Sequence, residues 1–390
     1  QITYIVGNND FFNPASWAID LAGLAVSAGA AYRLASVVLA VCLVHLFLID
    51  QAYYLNHIYL VCLVGAIMAC VPANAGWSMD AAGRRGAAGT GATVPAWTVW
   101  LLRAQVGIVY FFGGLAKLNA DWLRADPLRD WLLQVRGMPW LGPVFGHPFT
   151  PWVFAYGGLL FDLLIVPALL WKRTRAAAFA IAVLFHLTNA LVFRIGIFPW
   201  FMIAATTLFF EPDWPKRFRS RVARGKTGPV PRRPEAAAPR RGVVWALALY
   251  LGFQILFPLR HWLYPGDVNW TEEGHRFAWR MKLRAKDGSV QYFVTDPATG
   301  QTATVDPRVT LTPNQFAEMS TRPDMILQYA HHLASEARAK TGRPVEVRAA
   351  ASVSLNGRTP QLLIDPRVDL AAQRRSLGRA DWIQPLTQPR

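Results

Sequence analysis

The long apolar runs limit this chain more than any other feature. "LASVVLAVCLVHLFLI", "IYLVCLVGAIMACV", "AAAFAIAVLFHLTNALVF" and "IFPWFMIAATTLFF" approach the roughly 20 residues that cross a bilayer as a helix. About eight spans are predicted, near 15–31, 33–49, 54–73, 97–116, 151–171, 176–193, 196–210 and 243–260. The first is the weakest, diluted by Asp20 and several small residues. Composition agrees. Only 16% of residues are charged and 53% are hydrophobic, whereas a soluble domain carries about a quarter charged residues. The fold class expected is a polytopic α-helical membrane protein.

Lys and Arg in the short connections set the orientation. "KRTR" (172–175), "GRR" (83–85) and the basic stretch 216–242 are all cytoplasmic in one consistent alternation. The N-terminal stretch, the 50–53 loop, the 117–150 segment and everything after 260 then lie outside. The net charge of +16 sits largely in the Pro/Arg-rich 216–242 linker, so it reads as a topology signal and no nucleic-acid partner is expected. Cys42, Cys62 and Cys70 fall inside apolar runs without CxxC spacing, so they read as small hydrophobes, with no metal site. No cleavable signal is visible, and the start "QITYIVGNNDFFNPASW" is expected to follow a further segment.

The last 130 residues differ in character. "HRFAWRMKLRAKDGSVQYFVTDPATGQTATV" is strand-like, broken by "KDGS" and "PATG" turns. "TPNQFAEMSTRPDMILQYAHHLASEARAKTG" reads as helix stopped by Gly342, and "VEVRAAASVSLNGRTPQLLI" as two strands around Asn356-Gly357. The domains expected are therefore a membrane domain over 1–260, containing the 216–242 linker, and a small extracytoplasmic α+β domain over 261–390.

With that topology, Lys117, His57, His186 and His261 come from four helices to the outer half of the membrane or its rim. Asn189 lies one turn from His186, and Asp162 in "GGLLFDLLI" is an intramembrane acid that could pair with an arginine or histidine. Each has a plain alternative: Lys117 snorkelling to headgroups, His57 at the interface, His186 bonded to a carbonyl, Asp162 purely structural. Ionisable groups in membrane helices are costly and tend to mark function. Burial at the edge of an apolar cavity disfavours the ammonium form, so Lys117 is expected as a free amine and general base toward a lipid-soluble acid such as a quinol.

At these residues the chain resembles the vitamin K-dependent γ-glutamyl carboxylase family, whose membrane part is the HTTM domain. "VPAWTVWLLRAQVGIVYFFGGLAKLNADW" (94–122) resembles its strongest motif, with Lys117 at the catalytic lysine. "LNHIYL" (55–60) carries its Asn-His pair, and "FHLTNALVFRIGIFPWFMIAATTLFFEPDWPKR" (185–217) matches almost throughout. "FPLRHWLYPGDVNWTEEGHRFAWRM" (257–281) and "IDPRVDLAAQRRSLGRADWIQPL" (364–386) resemble the post-helix stretch and a C-terminal signature.

The resemblance implies that Lys117 deprotonates reduced vitamin K (phylloquinone or menaquinone hydroquinone), which reacts with O2. The oxygenated species removes a γ-proton from peptidyl glutamate, CO2 captures the carbanion, and the epoxide is left. It also implies the roles. Asn56 and His57 lie near the reacting centre, and His186 and His261 orient the quinol. Trp279 and Met281 bind the cofactor, while Trp270, His275 and Arg284 meet the glutamate-containing peptide or protein. Membrane lipid and a recycling quinone reductase are the other partners implied.

The chain departs from the animal enzymes at Ala116-Lys117, where they have two lysines, and at Asn119, where they have an acid. The resemblance implies a compact form with a short C-terminal domain. Two other readings stand beside this one: a quinol epoxidase on the same scaffold that does not carboxylate, and a non-catalytic transporter or scaffold. No inverted repeat favours the latter.

Overall fold

The computed structural model describes residues 14–84, 93–139, 141–193, 195–215 and 239–387. The N-terminal stretch 1–13, Arg85 of "GRR" and residues 216–238 of the basic linker lie outside the described residues. The apolar helices are α1 (Pro14–Ala28), α2 (Tyr32–Ile49), α3 (Asn56–Cys70), α4 (Ala96–Ala116), α5 (Thr150–Leu170), α6 (Arg175–Phe193), α7 (Phe198–Thr206) and α8 (Arg241–Leu256).

Among the described residues, five helices are long and apolar enough to cross a membrane: Tyr32–Ile49, Ala96–Ala116, Thr150–Leu170, Arg175–Phe193 and Arg241–Leu263, the last ending in a 3-10 stretch. The other three predicted spans are shorter, at Ser16–Ala28, Asn56–Cys70 and Phe198–Phe209. A 15-residue helix such as α3 is about 22 Å long, short of the ~30 Å hydrocarbon core. Local chemistry sets these limits. The Asp50 side chain caps the turn Gln51–Tyr53, which delays the start of α3. Gly196, at φ 57°, breaks the chain between α6 and α7.

The chain divides into two compact units. One holds Leu46–Asn56 together with Pro258 onward; the other holds α1, most of α2, and His57 through Phe257. In the helical unit, α4 and α5 pack closely because Gly114 faces Leu163. A Cβ on Gly114 would sit 2.7 Å from a Leu163 methyl. Small residues let membrane helices approach in this way.

The other unit is α+β. Its antiparallel sheet runs β2–β1–β3–β4, with β1 Lys286–Thr295, β2 Thr302–Val305, β3 Glu346–Leu355 and β4 Gln361–Leu362. Val347, Ala349, Ala351, Val353 and Leu355 alternate along β3 into a core shared with Ile326, Tyr329 and Ala330 of α9 (Pro323–Thr341). This is the two-residue period of a strand with one buried face. The 50–53 loop is built into this unit. Gln315 donates to Asp50 at 3.0 Å, and Gln51 donates to Asp324 at 2.6 Å.

Two local readings are corrected. "KDGS" makes no turn; it is the start of β1, paired with Val353, Ser354 and neighbours. Gly288 serves close packing, since a Cβ there would lie 2.8 Å from the Ser320 carbonyl oxygen. The long helix is two helices, Pro313–Met319 and α9, divided before Pro323, whose ring disfavours helical backbone at Arg322. "PATG" does turn, Gly342 does end α9 in the left-handed region, and Asn356-Gly357 does join β3 to β4. Gly288→Ala should cost about 1–3 kcal/mol through overpacking, read as a lower unfolding midpoint of the α+β unit; an unchanged midpoint would show that β1 has room at this point.

Candidate active site

Lys117 is the residue after α4, and its side chain runs back along that helix. Its Nζ donates to the Gly113 carbonyl at 3.2 Å and to Asp162 Oδ2 of α5 at 2.5 Å. Both residues are buried, Lys117 at 8% exposure and Asp162 at 7%. Lys117 is therefore held inside the helical unit and does not snorkel. The partner of Asp162 is this lysine, and not the arginine or histidine expected. The amine expected at the edge of an apolar cavity thus has a carboxylate as its nearest partner.

The polar turn after Lys117 builds a cover. Asn119 Oδ1 accepts from the Trp122 backbone N–H at 3.0 Å, and Asn119 Nδ2 donates to the Ala116 carbonyl. Trp122 Nε1 donates to the Ala155 carbonyl at 2.8 Å. The Trp122 ring centre then lies 5.2 Å from Lys117 Nζ, within cation–π range. Gly158 leaves space for this arrangement; a Cβ there would be 3.7 Å from Trp122 and 3.8 Å from the lysine chain.

Two turns back along α4, Tyr110 Oη meets His186 Nε2 of α6 at 2.7 Å. His186 is fully enclosed by aromatic rings, with Phe161, Phe185 and Phe198 centred 5.4–6.1 Å away. Its Nδ1 is buried without a partner among the described residues. His57 is half-buried and packs against the same Phe198, centroid to centroid 5.7 Å. A cavity of about 480 Å³ lies between α4, α5 and α8, walled by Phe111, Phe112, Leu163, Val166 and Ile255. Asp162 is the single charged residue of its lining.

The remaining predicted residues belong to the α+β unit. Asn56 is committed on both sides, donating to the Arg280 carbonyl at 3.1 Å and accepting from Tyr54 at 3.0 Å. The His261 ring bonds the Pro258 carbonyl at 2.8 Å through Nδ1, and Gly274 packs directly on the His261 backbone. Trp270 is a core residue, fully buried with Nε1 donating to the Gln384 carbonyl. Trp279 is fully buried and Met281 half-buried.

Arg284 grips Glu272 with two hydrogen bonds, Nε to Oε1 at 2.8 Å and a terminal nitrogen to Oε2, and also touches His275. Lys286 adds a third contact to Glu272 at 3.1 Å. Burial acts to raise the Glu272 carboxyl, but Arg284, Lys286 and His275 overcome it and hold the group well below the usual carboxylate range. Burial also brings Lys286 down to about 8 and keeps His275 well below the ordinary histidine value. Glu272, Phe277, Trp279 and Lys282 all have left-handed backbone, with φ between 47° and 62°. Such a run persists only where its surroundings dictate it, and it is a feature of functional segments.

Sequence reasoning missed Tyr110, Trp122 and the hub role of Glu272, and it misassigned the partner of Asp162. The signals were present. Lys117 and Asp162 are isolated opposite charges closing and interrupting neighbouring apolar runs, and Glu272 precedes a dense series of cations at Arg276, Arg280, Lys282, Arg284 and Lys286.

The HTTM domain profile matches residues 16–214, and that of the vitamin K-dependent gamma-carboxylase lumenal domain matches residues 240–389. No solved structure matches the chain.

Removing one partner of a buried charge cluster costs about 3–5 kcal/mol, so Glu272→Gln should sharply lower the unfolding midpoint of the α+β unit. Glu272 and His275 are both depressed in the folded state, so the unfolded chain binds more protons on acidification. Their stabilisation is complete above about pH 6.5 and falls below it, more steeply below about pH 4.3, the unperturbed values of the two groups. In Glu272→Gln the steeper limb should vanish; tryptophan-monitored melts across pH would show its survival if another carboxylate were responsible.

Proposed function

Because this chain belongs to the vitamin K-dependent gamma-carboxylase family, we propose that it carboxylates peptidyl glutamate with CO2, coupled to epoxidation of reduced vitamin K. One observation carries the reading: a buried Lys117–Asp162 pair, both within the HTTM-matched residues, whose acid lines an apolar cavity. The cavity suits a naphthohydroquinone, with aromatic and aliphatic walls, a volume in the range of small-molecule sites, and a single group able to take a hydroxyl proton. Reduced vitamin K, when bound, supplies with O2 the base strong enough for a γ-proton, which no side-chain amine can remove.

The residues of the chain then divide the work. The Lys117–Asp162 pair accepts the hydroxyl proton, and the Trp122 cover excludes water from it. His186 is fixed by Tyr110 through Nε2, which leaves Nδ1 to orient a quinol oxygen. His57 and Asn56 act near the reacting centre, and His261, Trp279 and Met281 on the cofactor. His275 meets the glutamate, within a segment shaped by the internal ties of Trp270 and Arg284. We place the α+β unit on the extracytoplasmic side, a reading supported by the basic loops and the lumenal-domain match. A quinone reductase would return the epoxide to the reduced form.

One observation favours the quinol epoxidase that does not carboxylate. The Arg284 guanidinium is occupied by Glu272 and offers little to a substrate carboxylate.

The test uses the purified full chain with reduced vitamin K, O2, labelled bicarbonate and a glutamyl peptide. Both epoxide and fixed label should form, and Lys117→Ala should lose both by about a hundredfold or more, the usual cost of removing a positioned proton acceptor. Epoxide without fixed carbon would favour the epoxidase. Neither product, with no quinone binding, would overturn the catalytic reading.

A further inference from the structure

Away from the site already described, the α+β unit leaves one apolar side chain almost wholly in the open. Leu377, in "RRSLGR" (374–379), is 91% exposed. A singly exposed leucine is ordinary on a protein surface, but this one is held out by its surroundings. The Gln373 carbonyl bonds the His331 ring at 2.8 Å, and the Ala380 backbone N–H donates to the Glu273 carboxylate at 2.9 Å. Between these ties the Gly378 N–H donates to Ser376 Oγ at 3.2 Å, and Tyr264 Oη donates to the Leu377 carbonyl at 2.5 Å. The loop is fixed at both ends and at its tip, so the leucine is presented outward and not left loose.

The Tyr264 bond also identifies what lies beside the tip. Tyr264 directly follows the apolar span Arg241–Leu263, which closes on Trp262 and Leu263, 64% and 84% exposed. A tryptophan at the end of a membrane span belongs at the headgroup level. Leu377 therefore hangs, through one hydrogen bond, from the point where that span leaves the hydrocarbon. Arginines flank it. Arg374, Arg375 and Arg379 are all exposed, and Asp381 is the single acid among residues 374–381. Arg375 donates to Gln51 at 3.0 Å and Arg379 meets Asp381 at 2.8 Å, exposed ties that a phosphate can displace. An apolar tip ringed by arginines at a membrane edge fits lipid, whose phosphates take the guanidinium groups while the acyl boundary takes the leucine.

We propose that the 374–379 loop is a membrane anchor, in which Leu377 enters the lipid at the interface and Arg374, Arg375 and Arg379 bind the phosphates of anionic phospholipids. The proposal depends on the chain being a membrane protein and not on which reaction it catalyses.

A nitroxide on Leu377→Cys, in the full chain with Cys42, Cys62 and Cys70 changed to alanine, would be followed in nanodiscs. Its collisions with O2, which concentrates in lipid, are compared with those with a water-soluble nickel chelate. The label should favour O2 in phosphatidylglycerol nanodiscs. Arg374→Gln and Arg379→Gln should each lower the ratio of inserted to withdrawn label about fivefold, the effect of one basic residue near an anionic surface. Exchanging the lipid for phosphatidylcholine should lower it at least as far. A label that favours the nickel chelate throughout would overturn the proposal. One shielded from both reagents would overturn it in favour of a protein partner, and equal insertion in the two lipids would overturn the assignment to anionic phospholipid.

A second measurement needs no cysteine changes. In phosphatidylglycerol nanodiscs, amide hydrogen exchange over 374–379 should be slower in the unaltered chain than in Leu377→Asp, with the rest of the α+β unit exchanging alike. Equal exchange of the loop in the two chains would overturn the anchor.

Discussion

Opposite charges removed from water cost several kcal/mol each unless their geometry restores what hydration supplied. The Lys117–Asp162 contact meets that demand at 2.5 Å, and the helical unit is arranged around it. Gly114 lets α4 and α5 come close enough for a lysine just past one helix to reach an acid inside the other. The cap at Asn119 then turns the chain so that Trp122 covers the amine, and the Ala155 carbonyl holds the indole in place. A wider helix pair, or a straight exit from α4, would leave one charge without its partner in an apolar setting. Buried pairs add little net stability, so the arrangement is better explained by what the charges do than by what they hold together.

The α+β unit solves a similar problem in another way. Glu272 draws Arg284 and Lys286 inward, while Asn269 takes the Arg280 guanidinium. These ties dictate a backbone that bulky residues otherwise avoid, with Phe277 and Trp279 in the left-handed region. Asn356 fastens the far end by exchanging hydrogen bonds with the Ala285 backbone. The segment is irregular and yet fully specified, a combination that suits recognition better than a regular strand would.

Much of this was legible in the residues, because apolar length and turn chemistry are local properties. The apolar helices, the Gly342 stop and the Asn356-Gly357 turn were read from neighbouring residues alone. What escaped was long-range. The role of Gly288 depends on Ser320, and the partner of Asp162 lies 45 residues away, just past the end of another helix. Nothing within 50–53 reveals that Asp50 and Gln51 bond Gln315 and Asp324. Span length also misled, because hydropathy continues through α3 and α7 where capping and Gly196 shorten the helix.

The pair also changes what kind of base a dry site can hold. A lone amine in an apolar cavity is neutral at rest and must acquire a charge when it reacts, which the surroundings oppose. A lysine already paired with an acid contains both charges beforehand, balanced, with the desolvation cost met during folding. Preorganised charge of this kind needs no rearrangement at the moment of reaction. Asp162, a lone acid in an apolar helix, is the part of the pair that faces the cavity.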